Sequence, residues 1–120
     1  MDSLIREDGS IATWWGTRVE CASAIARRDR DGALDRDQVA LAVHKLAVLE
    51  AHWAEAVPTD RLRESARRLV RVHDVRAADA LQLAAAIDVS RPDQQSVPFV
   101  TLDARLSLAA TREGFTVLAG

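Results

Sequence analysis

The chain has 120 residues, 48% of them apolar and 28% charged, with a formal net charge of −2. That length suits one domain over 1–120 with one hydrophobic core, and the composition excludes a disordered chain. The charge balance excludes attraction to nucleic acid by the mean field alone, so any such binding has to be local.

Other classes fall away on composition as well. The single Cys21 has no intrachain partner and no N-terminal signal pattern is visible, which predicts a cytoplasmic protein. The longest apolar run, from Ala77 to Val89, is interrupted by Asp79, Gln82 and Asp88 and is too short to span a bilayer, so no membrane association is expected. Of the 16 basic residues all but Lys45 are arginine, clustered at Arg27, Arg28 and Arg30 and at Arg61, Arg63, Arg67, Arg68 and Arg71. Arginine suits phosphate, but a charged helical stripe is more often a solvated face.

In chain order, residues Ser10 to Trp14 have the β-branched and apolar character of a short strand, ended by Gly16. Thr17 followed by Glu20 reads as a capping box opening a helix over Cys21 to Arg30, with Gly32 as its stop. A second helix is predicted from Asp35 to about His52, with Val39, Ala42, Val43, Leu46 and Leu49 on its apolar face. Glu55 to Val57 reads as a short strand. Thr59 or Asp60 then caps a third helix, apolar at Leu62, Ala66, Leu69 and Val70 and basic on its other side.

After a turn at Asp74 and Val75, the run Arg76 to Ala86 predicts a helix apolar nearly all round, as one packed on both sides would be. Ser90 to Gln95 reads as a loop, Phe99 to Leu102 as a buried strand, and Ala104 to Arg112 as a helix stopped by Gly114. Phe115 to Leu118 is the last strand. Strands alternating with single or paired helices predict α/β architecture with a mainly parallel sheet, whose ligands bind beyond the carboxyl ends of the strands.

Three acids could meet at that edge. Asp79 sits among alanines and leucines, where an unpaired buried carboxylate is costly. It faces water, uses first-turn N–H groups or Arg76, or points into a cleft. Glu20 completes its capping box or serves the same cleft. Asp103 follows a strand and caps the next helix or joins the other two. Converging carboxylates repel one another, and Mg²⁺ or Mn²⁺ relieves that repulsion and activates water. His44, His52, His73 and Cys21 show no paired zinc-ligand spacing.

Taken together, Thr17 to Arg28, Arg76 to Ala84 and Phe99 to Leu106 resemble the successive motifs of the PIN domain, most closely VapC-type toxins of bacterial toxin–antitoxin pairs. The resemblance runs from about Ser10 to the C-terminus. It implies a three-layer α/β/α fold and a Mg²⁺- or Mn²⁺-dependent endoribonuclease that leaves a 3′-hydroxyl. Glu20, Asp79 and Asp103 would be its catalytic, metal-holding acids. Thr101 would assist by hydrogen bonding, and Arg18 and Arg76 would be placed to meet RNA phosphate. A cognate antitoxin and a homodimer are the implied partners.

The chain departs from the family at its start. The family opens with a central hydrophobic strand ending in a metal-binding Asp, followed by a helical segment. Here Asp2-Ser3 is a poor substitute, no strand is expected before Ser10, and the helical segment is reduced to Leu4 to Asp8 or missing. Without that strand the sheet would have a gap with exposed edges. Either the chain is a shortened form of an ordinary nuclease, or it is a remnant that cannot cut and binds a partner helix or its own copy through apolar surface including Trp14 and Trp15.

Overall fold

The computed structural model describes residues 3–5, 11–90 and 98–118. Within them the order is β1 (Ser3–Ile5), β2 (Ile11–Trp14), α1 (Thr17–Arg30), α2 (Arg36–Glu50), β3 (Ala54–Ala56), α3 (Asp60–Val72), α4 (Ala77–Ser90), β4 (Pro98–Val100), α5 (Ala104–Arg112) and β5 (Thr116–Leu118). The chain is α/β, with five helices and short strands among the described residues.

One sheet runs in the order β3-β2-β1-β4-β5. The β2–β3 and β4–β5 pairings are parallel, whereas β1 is antiparallel to both β2 and β4. Two expectations are corrected here. The centre of the sheet is filled, by a strand the sequence did not show, with Leu4 opposite Ala12 on one side and Phe99 on the other. The sheet is therefore half parallel and half antiparallel in its pairings. Leu4 and Ile5 belong to this strand and not to a helical remnant; Asp2, Arg6 to Ser10 and the loop positions 91–95 lie outside the described residues.

Because β1 runs against all four of its sheet-mates, the carboxyl ends of β2, β3, β4 and β5 share one edge. The N-termini of α1, α3 and α5 open from that edge.

The core is built on α4. Ala80, Leu83, Ala84, Ala85, Ala86 and Ile87 are all buried, and the small size of the four alanines lets α4 lie close to α3, β1, β2 and β3. From α3, Leu62, Ala66 and Leu69 face it; from α5, Leu106, Ala109 and Ala110 complete the cluster with Phe99 and Phe115, whose rings lie 5.8 Å apart. Val70, expected on the buried side of α3, is 43% exposed. It follows Leu69 by one residue, and one step turns a helical side chain about 100° away.

The arginine row of α3 is a paired surface. Arg61 meets Asp88 at 2.6 Å, Arg63 meets Asp60 at 2.9 Å, Arg67 meets Glu64 at 3.0 Å and Arg68 meets Glu113 at 2.5 Å. Arg71, the fifth arginine of the row, is exposed, and these exposed ion pairs are the kind found on a solvated helix face.

Helices α1 and α2 pack chiefly on one another. Asp35 caps α2 with a full capping box, its side chain accepting from Gln38 N and Gln38 accepting from Asp35 N. Val39, Ala42 and Leu46 form the half-buried seam, yet no residue of α2 is fully buried. Leu41 and Val48, seven residues apart and so on one face, are 52% and 50% exposed.

Candidate functional site

The first acid is positioned by the turn between β2 and α1. Trp15 N donates to Ala56 O at 2.9 Å, which holds the end of β2 to β3. Gly16 is the N-cap of α1 and its carbonyl accepts from Val19 N and Glu20 N. A Cβ at Gly16 would stand 2.5 Å from Trp14 Nε1, so only glycine lets the indole lie against the turn.

The expected capping box is absent. Thr17 is the first helical residue, 2% exposed, and its hydroxyl turns back to accept from Trp14 N at 3.2 Å. No side chain caps the helix, so Glu20 is not engaged as a box partner. Its carboxylate instead accepts from Gln82 Nε2, 62 residues away on α4.

Gln82 is 8% exposed, and its Oε1 has no hydrogen-bond partner among the described residues. It lies three residues after Asp79, one helical turn along the same face. Asp79 is half-buried in the first turn of α4, where the helix dipole favours a carboxylate. The acid of α1 thus lies against the α4 face that carries Asp79. Gln82 was not picked out from sequence, although Asp79 and Gln82 are the two polar residues of the run Ala77 to Ile87 and share a helical face.

Asp103 is the N-cap of α5, with Oδ1 accepting from Leu106 N at 2.9 Å. Thr101, 3% exposed, accepts from Asp103 N at 3.1 Å and so fixes the backbone just before the cap. Both sit at the carboxyl end of β4. With β1 between β2 and β4, the two carboxyl ends are two strand spacings apart, about 10 Å. Among the described residues no three or more His, Cys, Asp or Glu side chains form a group suited to a metal ion. Glu20 reaches Gln82, one turn along α4 from Asp79, and Asp103 stands across the sheet edge at the end of β4.

The expected phosphate contacts differ from each other. Arg18 donates through Nε to Glu55 at 2.7 Å and lies 3.5 Å from Glu50, and Trp53 Nε1 donates to the same Glu55 oxygen. The Glu55 hydrogen bond, opposed by desolvation, holds the Arg18 guanidinium above its ordinary pKa. Arg18 therefore clamps α1 to the edge strand β3. Arg76 is exposed, and its carbonyl accepts from Ala80 N at the start of α4.

Of the histidines, His73 is buried and bonded to Glu113, whereas His44 and His52 are exposed. None joins the acids.

Glu20 and Asp79 are carboxylates, the donor chemistry that a hard divalent cation takes, and Gln82 lies behind Glu20 as a hydrogen-bond donor. No helix among the described residues is long and apolar enough to cross a membrane. No family model, curated protein or solved structure matches the chain.

Proposed function

We propose that the chain has a PIN-type three-layer scaffold and acts as a metal-dependent endoribonuclease, the toxin of a type II toxin–antitoxin pair. One observation carries this reading. Glu20, at the carboxyl end of β2, is held by Gln82 against the α4 face that bears Asp79, which is the edge where α/β sheets bind ligands. In this reading Glu20 and Asp79 hold Mg²⁺ or Mn²⁺ with the help of Asp103, whose Oδ1 is already engaged by Leu106 N. The bound cation supplies charge neutralisation at a phosphodiester oxygen and a more acidic water. Thr101 keeps Asp103 in place. RNA is the substrate, a cytoplasmic antitoxin and a second copy are the partners.

The test is incubation of a structured RNA with the protein in Mg²⁺, in Mn²⁺ and in EDTA. Cleavage should need the metal and be lost in Asp79→Asn; equal cleavage in EDTA, or full activity in that variant, defeats the reading.

A second reading has its own observation. The outward face of α2 leaves Leu41 and Val48 in solvent, as suits a noncatalytic remnant that binds an antitoxin or itself. Size-exclusion chromatography with light scattering, alone and with the protein encoded beside it, addresses it. A monomer that ignores that neighbour rules against it.

A further inference from the structure

We propose that Gln82 is a positioning residue for Glu20, a role that rests on the nuclease reading above. The side chain is buried, its Nε2 donates to the Glu20 carboxylate, and its Oε1 has no hydrogen-bond partner among the described residues. A buried amide with one end unused is a costly choice for packing, because the orphaned carbonyl has lost its water and gained nothing in return. Leucine or methionine would fill the same space between α4 and α1 without that cost. What the amide alone supplies is a donor fixed on rigid helix, aimed at one oxygen of Glu20.

That donor does two things for a cation site. It holds the carboxylate in one orientation, and it favours the ionised form that a metal needs. Gln82 does not touch the substrate. Its position one turn after Asp79 means that a single helical face sets both acids, the first directly and the second through the amide.

The experiment compares wild type with Gln82→Met, Glu20→Ala and the double variant. Three readouts are used: the melting temperature of the metal-free protein, Mn²⁺ affinity followed by paramagnetic resonance of the free ion, and RNA cleavage. Gln82→Met should melt at or above the wild-type temperature and bind Mn²⁺ at least about 10-fold more weakly, the usual loss for an outer-shell partner. Cleavage should fall in parallel. In the Glu20→Ala background the Gln82 substitution should change Mn²⁺ affinity no further, since its effect passes through Glu20.

Unchanged Mn²⁺ affinity in Gln82→Met, or an equal loss in both backgrounds, overturns the proposal. So does a fall in melting temperature of the size expected for a core defect with function tracking stability. If wild type neither binds Mn²⁺ nor cuts RNA, the nuclease reading fails and this role fails with it. If both proteins bind and cut alike, only the role of Gln82 fails.

Discussion

Arg68 and Glu113, 45 residues apart in sequence, meet through Nη2 and Oε1 at 2.5 Å, and the other oxygen of Glu113 lies 2.8 Å from His73 Nε2. The carboxylate thereby ties the end of α3 to the end of α5. An ionised carboxylate only accepts, so Nε2 carries the hydrogen and the buried Nδ1 is left without a partner. The Arg68 hydrogen bond first, then His73 against the cost of burial, hold Glu113 below its ordinary value of 4.5.

A carboxyl that is more acidic folded than unfolded adds stability above its unfolded value and loses it as pH falls through its folded one. Wild type should therefore lose more melting temperature than Glu113→Gln between pH 7 and pH values below about 4.5. At neutral pH the substitution should cost about 1–3 kcal/mol, since it leaves buried His73 and Arg68 poorly matched. Parallel thermal melts across pH check both; curves of equal slope would remove Glu113 from the acid response.

Asp103 invites a test that separates structure from chemistry. Asp103→Ala should destabilise by about 1 kcal/mol, because Leu106 N loses its acceptor. Asp103→Asn keeps an acceptor oxygen and should melt within a degree or two of wild type. If Asp103 also serves a metal, Asn still loses RNA cleavage; cleavage intact in Asn would make Asp103 a cap and nothing more.

Gly16→Ala should displace the Trp14 indole, with which the new Cβ would clash. A cost of about 1–3 kcal/mol is expected from this overpacking, with a shift in tryptophan emission. Wild-type emission and stability would mean the indole has room to turn.

Ala80, early in α4, is fully buried, and Ala80→Leu should cost about 1–3 kcal/mol in urea unfolding. Leu83→Ala, at an equally buried site, should cost about 2–5 kcal/mol. Val48→Lys, on the uncovered side of α2, should stay within about 0.5 kcal/mol of wild type.

Where a signal was local, the sequence was readable. Asp35 with Gln38, Thr59 and Asp103 each cap the helix they precede, because a short polar side chain and the N–H groups it serves lie within three residues. The span of α5 follows from its cap and from Gly114, whose φ of 100° suits glycine. Thr17 carried the same kind of signal and misled, since the free N–H of Trp14 competes for its hydroxyl. Strand β1 was not legible at all. Three residues carry no period, and their partner Phe99 is nearly the whole chain away. The pairing of Glu20 with Gln82 was hidden for the same reason: it depends on how α1 and α4 meet, which neither segment encodes alone.

The antiparallel strand at the centre also sets the order in which the chain can finish folding. Leu4 pairs with Ala12 over a short span of chain, whereas Phe99, its partner on the other side, has to be brought in across most of the domain. Until then one edge of β1 is bare, and β2 and β3 on one flank wait for β4 and β5 on the other. Closing the sheet is thus a late, long-range step that carries most of the loop entropy. Before β4 docks, that open strand edge is where misassembly between neighbouring chains would start.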